Sequence, residues 1–469
     1  MSFDVASNKC APSWRRKGKH CVLMVCDYFW PSVGGVEMHI WSLAQCLMRQ
    51  GHKVVVLTHA LGGRHGVRYM TNGLKVYYLP WLSVFQNCSL PTVFPMLPLF
   101  RNICVRERIE VVHGHQDSSA MVHEALFHAQ TLGLHTCFTS HSLFNLYDNG
   151  SINLNKVLRF TLHGVDHCIA VSHTCKENLV VRCKLSPGSV STIPNAVDAA
   201  SFTPGPDLRD PPPSVTIVIL NRLAYRKGAD LVAKLIPVVC ARLKQVRFVV
   251  GGDGPKRLLL DEMVERYQLH DRVELLGSVP HTDVRSVLCR GSIFLNCSLT
   301  EAFCMAIVEA ACCGLHVVST RVGGIPEVLP NDMITFASQP SVAALVEAVE
   351  KVVQRLDTLQ DPAQVHARVR TMYNWDDIAL RVSVVYDRVL ERPVSAWKSR
   401  LESCCAAGPI AAIGFFILVV LDSMLLQLCC ALHPNTTIEA AEDIVFERMS
   451  SDKGTHPSCS IEQSEHHDN

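Results

Sequence analysis

Residues 216–228 read Thr-Ile-Val-Ile-Leu-Asn-Arg-Leu-Ala-Tyr-Arg-Lys-Gly. Thr216 to Leu220 is a short, largely β-branched run of the kind that forms one buried strand. Arg222 and Lys227 then leave its carboxyl end just before a helical stretch, where an arginine fork and a lysine point charge can hold a diphosphate. Taken alone, the same turn reads equally as a solvated basic loop. Similar runs follow at Phe248 to Val250, Val273 to Leu276, Ile293 to Leu295 and Val317 to Ser319. They also precede it, at Val22 to Val25, Val54 to Leu57, Val111 to Val112, Cys137 to Thr139, Cys168 to Val171 and Val190 to Ile193. Helical stretches separate them, and such alternation predicts βαβ units on parallel sheets. Pro204-Gly-Pro and Asp210-Pro-Pro-Pro213 divide the two series as a rigid linker. The expected fold class is α/β, with two Rossmann-like doubly wound domains facing one cleft, because ligands of open α/β sheets bind outside the strands' carboxyl ends. The boundaries are residues 1–204 for the first domain, 205–213 for the linker and 214–375 for the second domain, with 376–400 as a helix returning to the first domain plus a basic flank.

Composition agrees with a large globular body carrying something more apolar. The chain has 469 residues, 48% apolar and 19% charged, with a net charge of +1, against about 25% charged in average soluble proteins. This excludes a small disulfide scaffold, a disordered tail and a coiled coil, and no nucleic-acid partner is expected. The 21 cysteines are odd in number and contain no Cys-x-x-Cys, so neither a zinc framework nor a thioredoxin-like motif is indicated, and reduced thiols in a cytosolic body are expected. Arg15, Arg16, Lys17 and Lys19 imitate a signal peptide, but the apolar run behind them, Cys21 to Cys26, is shorter than the roughly 7–15 residues required. It reads as the first buried strand.

Residues 409–432 carry a single charge, Asp422, and their 24 residues exceed the roughly 20 needed to cross a bilayer as a helix. Arg388, Arg392, Lys398 and Arg400 flank this segment, whereas the tail 433–469 holds eight acidic and two basic residues. Basic flanks stay cytoplasmic, so the body is expected in the cytosol and the tail in the lumen. The sequon at Asn435 would be the only one topologically accessible, with Asn87, Asn149 and Asn296 without consequence. Asp422 at mid-membrane is expected to face a partner helix, which points to accessory membrane subunits. Subtracting the tail and Asp422 leaves residues 1–408 at +8, suited to anionic substrates. A second charge-free run, Val76 to Phe100, contains four prolines. Two readings stay open for it: a segment in the membrane interface, or a loop and short helix packed on the first domain.

Two further motifs bear on chemistry. Gly34-Gly35 follows the first strand and precedes apolar residues at helical spacing, which lets a ligand approach backbone amides at a helix N-terminus; a plain turn is the alternative. No Gly-x-Gly-x-x-Gly occurs, which counts against a dinucleotide oxidoreductase. After the strand Ile293 to Leu295 comes Glu301-Ala-Phe-Cys-Met-Ala-Ile-Val-Glu309. Read as one helix, the two glutamates are about 800° apart at 3.6 residues per turn, within roughly 80° of one face, and could grip a sugar hydroxyl and a ribose. Glu309 lies among Ala, Ile and Val and would be costly to bury unpaired.

Asn221-Arg-Leu-x-x-x-Lys-Gly228 followed by Glu301-x7-Glu309 resembles the donor half of retaining glycosyltransferases of family four, which have the GT-B fold. The resemblance covers roughly residues 20–395 and is most specific from Ser298 to Pro330. Thr139-Ser-His-Ser-Leu-Phe144, Ile193-Pro-Asn-Ala-Val-Asp198 and Gly252-Asp-Gly-Pro-Lys-Arg257 bring it closest to the branch that starts glycosylphosphatidylinositol anchor synthesis at the endoplasmic reticulum. That resemblance implies transfer of N-acetylglucosamine from UDP-GlcNAc to phosphatidylinositol with retention. It implies diphosphate binding by Arg222 and Lys227, ribose binding by Glu309, donor-sugar contact by Glu301, and an anion site at the amides of Phe303, Cys304 and Met305. It makes His141 the active-site histidine and sets Gly34 and Gly35 near the diphosphate and acceptor. No cofactor or metal is implied: the family needs no Asp-x-Asp motif, and none occurs here. Ser140 stands where this branch usually has aspartate before the histidine. The alternatives are a related transferase with another sugar or lipid, and a non-catalytic scaffold of the same descent.

Overall fold

A computed structural model of the chain describes residues 18–442 except 71, 86, 145–148, 212 and 395–396. Arg15, Arg16 and Lys17, the side chains of Asn149 and Lys398, and the tail beyond residue 442 lie outside the described residues. The first domain contains β1 (Cys21–Val25), α1 (Gly35–Arg49), β2 (Lys53–His59), β3 (Gly66–Tyr69), β4 (Lys75–Leu79), β5 (Ser83–Phe85), β6 (Cys88–Ser89), α2 (Met96–Glu107), β7 (Val111–His115), α3 (Ala120–Thr131), β8 (His135–Ser140), α4 (Asn149–His163), β9 (His167–Ala170), α5 (His173–Cys183) and β10 (Val190–Thr192). Its main sheet runs β10-β9-β8-β7-β1-β2-β4-β3 and is parallel except for the antiparallel β3–β4 edge. β1, β2 and β7 are buried along nearly their whole length, as the continuous apolar runs of a doubly covered parallel sheet require.

The second domain holds β11 (Val215–Leu220), α6 (Ala229–Arg242), β12 (Val246–Gly251), α7 (Arg257–Tyr267), β13 (Val273–Gly277), α8 (His281–Cys289), β14 (Ile293–Asn296), α9 (Met305–Cys312), β15 (His316–Ser319), β16 (Ile334–Phe336), α10 (Val342–Val353) and α11 (Pro362–Met372). Its sheet order, β13-β12-β11-β14-β15-β16, numbered within the domain, is the 3-2-1-4-5-6 of a dinucleotide-type fold. The order reverses between β11 and β14, so a crevice opens where their carboxyl ends diverge. In the first domain the equivalent reversal lies between β1 and β7.

α12 (Trp375–Leu390) returns to the first domain. Tyr386 is fully buried there and its hydroxyl meets His113 Nδ1 at 2.7 Å, while the Arg381 guanidinium donates to the Thr192 carbonyl at 2.8 Å. α13 (Trp397–Ala406) and α14 (Pro409–Leu432) follow. α14 is long and apolar enough to cross a membrane and buries little of its surface; Ile410, Ile413, Ile417 and Met424 face outward.

One expectation about this helix is corrected. Asp422 does not wait for a partner helix. It is fully buried against α3 of its own chain, with Oδ1 2.9 Å from His128 Nδ1, an ion pair by distance rather than an aligned hydrogen bond, and with the Thr131 hydroxyl donating to Oδ2. A carboxylate removed from water needs such partners, and α3 supplies them within the fold. Beyond α14, residues 433–441 lie against α2 of the first domain. Arg101 donates to the His433 carbonyl at 2.6 Å and to Asn435 Oδ1 at 2.5 Å, and the Ala441 amide donates to the Arg106 carbonyl at 2.8 Å. The Asn435 side chain is thus engaged with the first domain.

Of the two readings of the run from Val76 to Phe100, the short helix packed on the first domain is present as the start of α2, but β4 and a hairpin stand where a loop was expected. The ends of the run, within β4 and α2, are core: Val76, Tyr78, Leu79, Met96 and Phe100 are buried. Its middle is the β5–β6 hairpin, whose neighbourhood exposes Leu82, Val84 and Leu90.

Candidate active site

Arg222 and Lys227 sit on the loop leaving β11, at the reversal point of the second sheet. Gly228 fixes that loop. Its φ is +76°, and a Cβ there would stand 1.9 Å from the Cys297 carbonyl oxygen, so the chain turns where only glycine fits. The Gly252-Asp-Gly254 segment braces the loop from the β12 side: a Cβ on Gly252 would meet the Asn221 carbonyl at 1.8 Å. Arg222 is exposed. Lys227 Nζ lies 2.5 Å from Glu301 Oε1, which also accepts from Ser298 Oγ at 2.9 Å. Burial pulls the Lys227 pKa down, but the Glu301 charge outweighs it and leaves the ammonium above its ordinary value.

The pairing of the glutamates on one helix is corrected. α9 begins only at Met305, and Cys304, at φ 77° and ψ 84°, turns the chain left-handed immediately before it. Glu301 therefore belongs to the loop after β14, held by Lys227 and Ser298, and the helical angle between Glu301 and Glu309 has no meaning. Phe303 is buried and Cys304 caps α9, so of the three expected anion-site residues only Met305 is helical. Glu309 lies one turn into α9, and burial raises its carboxyl pKa to about 7.

The first domain faces this loop closely. Gly34 caps α1, and a Cβ built on Gly35 would reach Met305 Cγ at 4.0 Å. The glycine loop after β1 and the start of α9 therefore form opposite walls of one cleft. Ser172 Oγ donates to the Ala302 carbonyl at 2.6 Å, Arg226 donates to the Leu143 carbonyl at 2.9 Å, and Glu327 accepts from the His173 and Thr174 amides at 2.6 and 2.8 Å. These bonds lock the edges of the cleft.

His141 follows β8 directly. Ser140 does not orient it, since its hydroxyl donates to Asp117 Oδ2 at 2.7 Å and points into a buried pair of Asp117 with Arg182. The neighbours of His141 are two other imidazoles, His115 with Nδ1 3.4 Å from His141 Nε2, and His39 with ring centroids 4.6 Å apart. Burial lowers the pKa of all three, to about 4 for His39, so they stand neutral at pH 7. His39 on α1 and Asn195, which meets His39 Nδ1 at 2.8 Å, were missed by sequence reasoning. The only signal for them was proximity of α1 to the strand ends, which sequence spacing does not display.

The chain thus brings together Gly35, Met305, Lys227 and Glu301, with Arg222 and Glu309 on the elements that carry them. A GPI anchor biosynthesis model, PIGA, matches residues 59–148, and a model for glycosyl transferases group 1 matches residues 207–364. A phosphatidylinositol N-acetylglucosaminyltransferase subunit of Arabidopsis thaliana is 53% identical over 90% of this chain and 94% of its own length. The corresponding protein of Homo sapiens is 50% identical over 92% and 90%. Among solved structures, sucrose-phosphate synthase from Thermosynechococcus elongatus superposes with a TM-score of 0.66 at 18% identity, covering 79% of this chain and 99% of that one. That likeness shows the two-domain glycosyltransferase fold.

Proposed function

The chain belongs to this family of phosphatidylinositol N-acetylglucosaminyltransferase subunits, and from that premise we propose that it transfers N-acetylglucosamine from UDP-GlcNAc to the inositol of phosphatidylinositol, with retention. The observation that carries the reading is the Lys227–Glu301 pair at the reversal of the second sheet, opposite the Gly34-Gly35 loop. Lys227 and Arg222 neutralise the departing diphosphate, Glu301 holds the donor sugar, and Glu309 accepts from the ribose hydroxyls. The β11 loop supplies the countercharge through side chains, so no metal is assigned to the diphosphate. Neutral His141 contacts the sugar and acceptor as a hydrogen-bonding group. The inositol hydroxyl attacks the anomeric carbon on the face the diphosphate leaves. The new C–O bond forms as the bond to phosphate breaks, and the departing phosphate oxygen takes the hydroxyl proton.

We place the body at the cytosolic face of the endoplasmic reticulum membrane, with α14 as its anchor; the basic residues flanking α14 support that side. Accessory subunits would cover the outward apolar face of α14 around Ile413, Ile417 and Met424, since Asp422 is already engaged. Protease added to sealed microsomes is expected to cleave the body without detergent; protection until detergent is added would contradict the placement.

The direct test incubates membranes holding the assembled enzyme with labelled UDP-GlcNAc and phosphatidylinositol. A labelled glycolipid is expected, and its absence would sink the assignment. Glu309 adds a pH signature. With a pKa raised to about 7, its carboxyl becomes a charged acceptor as pH rises through neutrality, and hydrogen bonds to a charged group exceed neutral ones by about 1 kcal/mol. The KM for UDP-GlcNAc should therefore fall about three- to fourfold between pH 6 and 8, and Glu309→Gln should flatten that dependence.

A further inference from the structure

We propose that His39, His115 and His141 form a binding site for one divalent transition metal of the zinc class, separate from the diphosphate clamp. Their ligating nitrogens all lie within 4.8 Å of one another. The separation of His115 Nδ1 from His141 Nε2, 3.4 Å, is the edge that two nitrogens span on a tetrahedral zinc, about 3.3 Å for Zn–N bonds of roughly 2.05 Å. The third nitrogen is at most about 1.5 Å too far out, a shift that imidazole rotation supplies.

Three features favour a metal over a packed histidine cluster. His39 Nε2 is buried and has no hydrogen-bond partner among the described residues, a state that costs free energy unless a ligand meets it. His39 Nδ1 is taken by Asn195 Oδ1, which leaves the Nε2 lone pair free, as in metal-ligating histidines held by an outer carbonyl. His113 shows the contrast. It stacks on His115 at 4.1 Å, yet its two nitrogens are bonded to Tyr386 and Thr139, so it belongs to the fold and not to the site. Imidazoles select zinc-class metals over magnesium, so the lack of an Asp-x-Asp motif has no bearing here. The least buried member, His141, opens the fourth position to the cleft. The site stands on its own geometry and survives a failure of the transferase assignment.

Full-length, tag-free protein purified with its membrane partners is titrated with Co²⁺ and then Zn²⁺. One equivalent of Co²⁺ should bind with the d–d absorption of a nitrogen-ligated four-coordinate ion, yield to Zn²⁺, and be lost in His39→Gln and His115→Gln. If those buried variants fail to fold, His141→Gln, at the rim, gives the same readout. Asn195→Ala, removing a positioning residue, should weaken binding about 10–100-fold with the spectrum unchanged. Absence of the band from folded wild type, its persistence in His141→Gln, or a sulfur charge-transfer band marking capture by cysteine would overturn the proposal.

Discussion

Lys227→Met should lower kcat/KM for UDP-GlcNAc about 10³-fold while KM changes far less. The lysine is the cation that the β11 loop, locked by Gly228 against the Cys297 carbonyl, delivers to the point where the second sheet reverses. In the resting site its charge is spent on Glu301 at 2.5 Å. In the transition state negative charge develops on the leaving diphosphate, and a preorganised cation there acts where water is excluded. Removing one such donor costs about 10²–10³ in rate. Glu301 also loses its countercharge when it should hold the sugar, which places the expected effect at the upper end. Because the lost interaction strengthens as charge develops, kcat carries most of the change. Lys227→Arg should not rescue it, since a planar fork cannot replace a compact charge beside Glu301 and Ser298. Initial rates with labelled donor on the assembled enzyme decide; a loss below tenfold would remove Lys227 from the chemistry.

Much of this was legible in the chain itself, for a physical reason. The core strands of a doubly covered parallel sheet are continuous apolar runs, so nearly every central strand from β1 to β15 left a mark; the exception, β4, merges into the charge-free run Val76 to Phe100. Of the edge strands, β10 and β13 were legible, whereas β3 is exposed along its length and β16 is only three residues. Lys227 and Glu301 were singled out by type and by position at strand ends, and the fold brings their side chains together. The helix start after Glu301 was misplaced because a left-handed residue at Cys304, where no glycine stands, gives no signal. His39 and Asn195 come from α1 and from the segment after β10, so their meeting beside His141 depends on tertiary packing alone. The side chain facing Asp422 was misjudged likewise. A lone carboxylate in an apolar run signals a need for a partner, but the identity of that partner lies 294 residues earlier, at His128.

That contact yields the second large effect. Asp422→Leu should destabilise the folded chain by about 3–5 kcal/mol, the cost of breaking a buried charge pair by deleting one partner, and His128→Leu should do the same. Neither change would act by packing alone. Each leaves the other charge buried beside Thr131, with Glu124 3.6 Å from His128. The double variant Asp422→Leu with His128→Leu should recover most of the loss, because replacing both members with apolar groups removes the desolvation cost together with the attraction. Additive losses in the double variant would show that the two side chains do not act as a pair. The pair should also give stability a pH dependence. Burial pushes the His128 pKa down, but Asp422 and Glu124 outweigh it and raise it above the ordinary 6.5. A group whose pKa is raised on folding stabilises fully below its unfolded value and loses that contribution as pH rises through its folded one. Thermal unfolding of the purified protein should therefore shift downward from pH 6 towards alkaline pH, and the double variant should lose that slope.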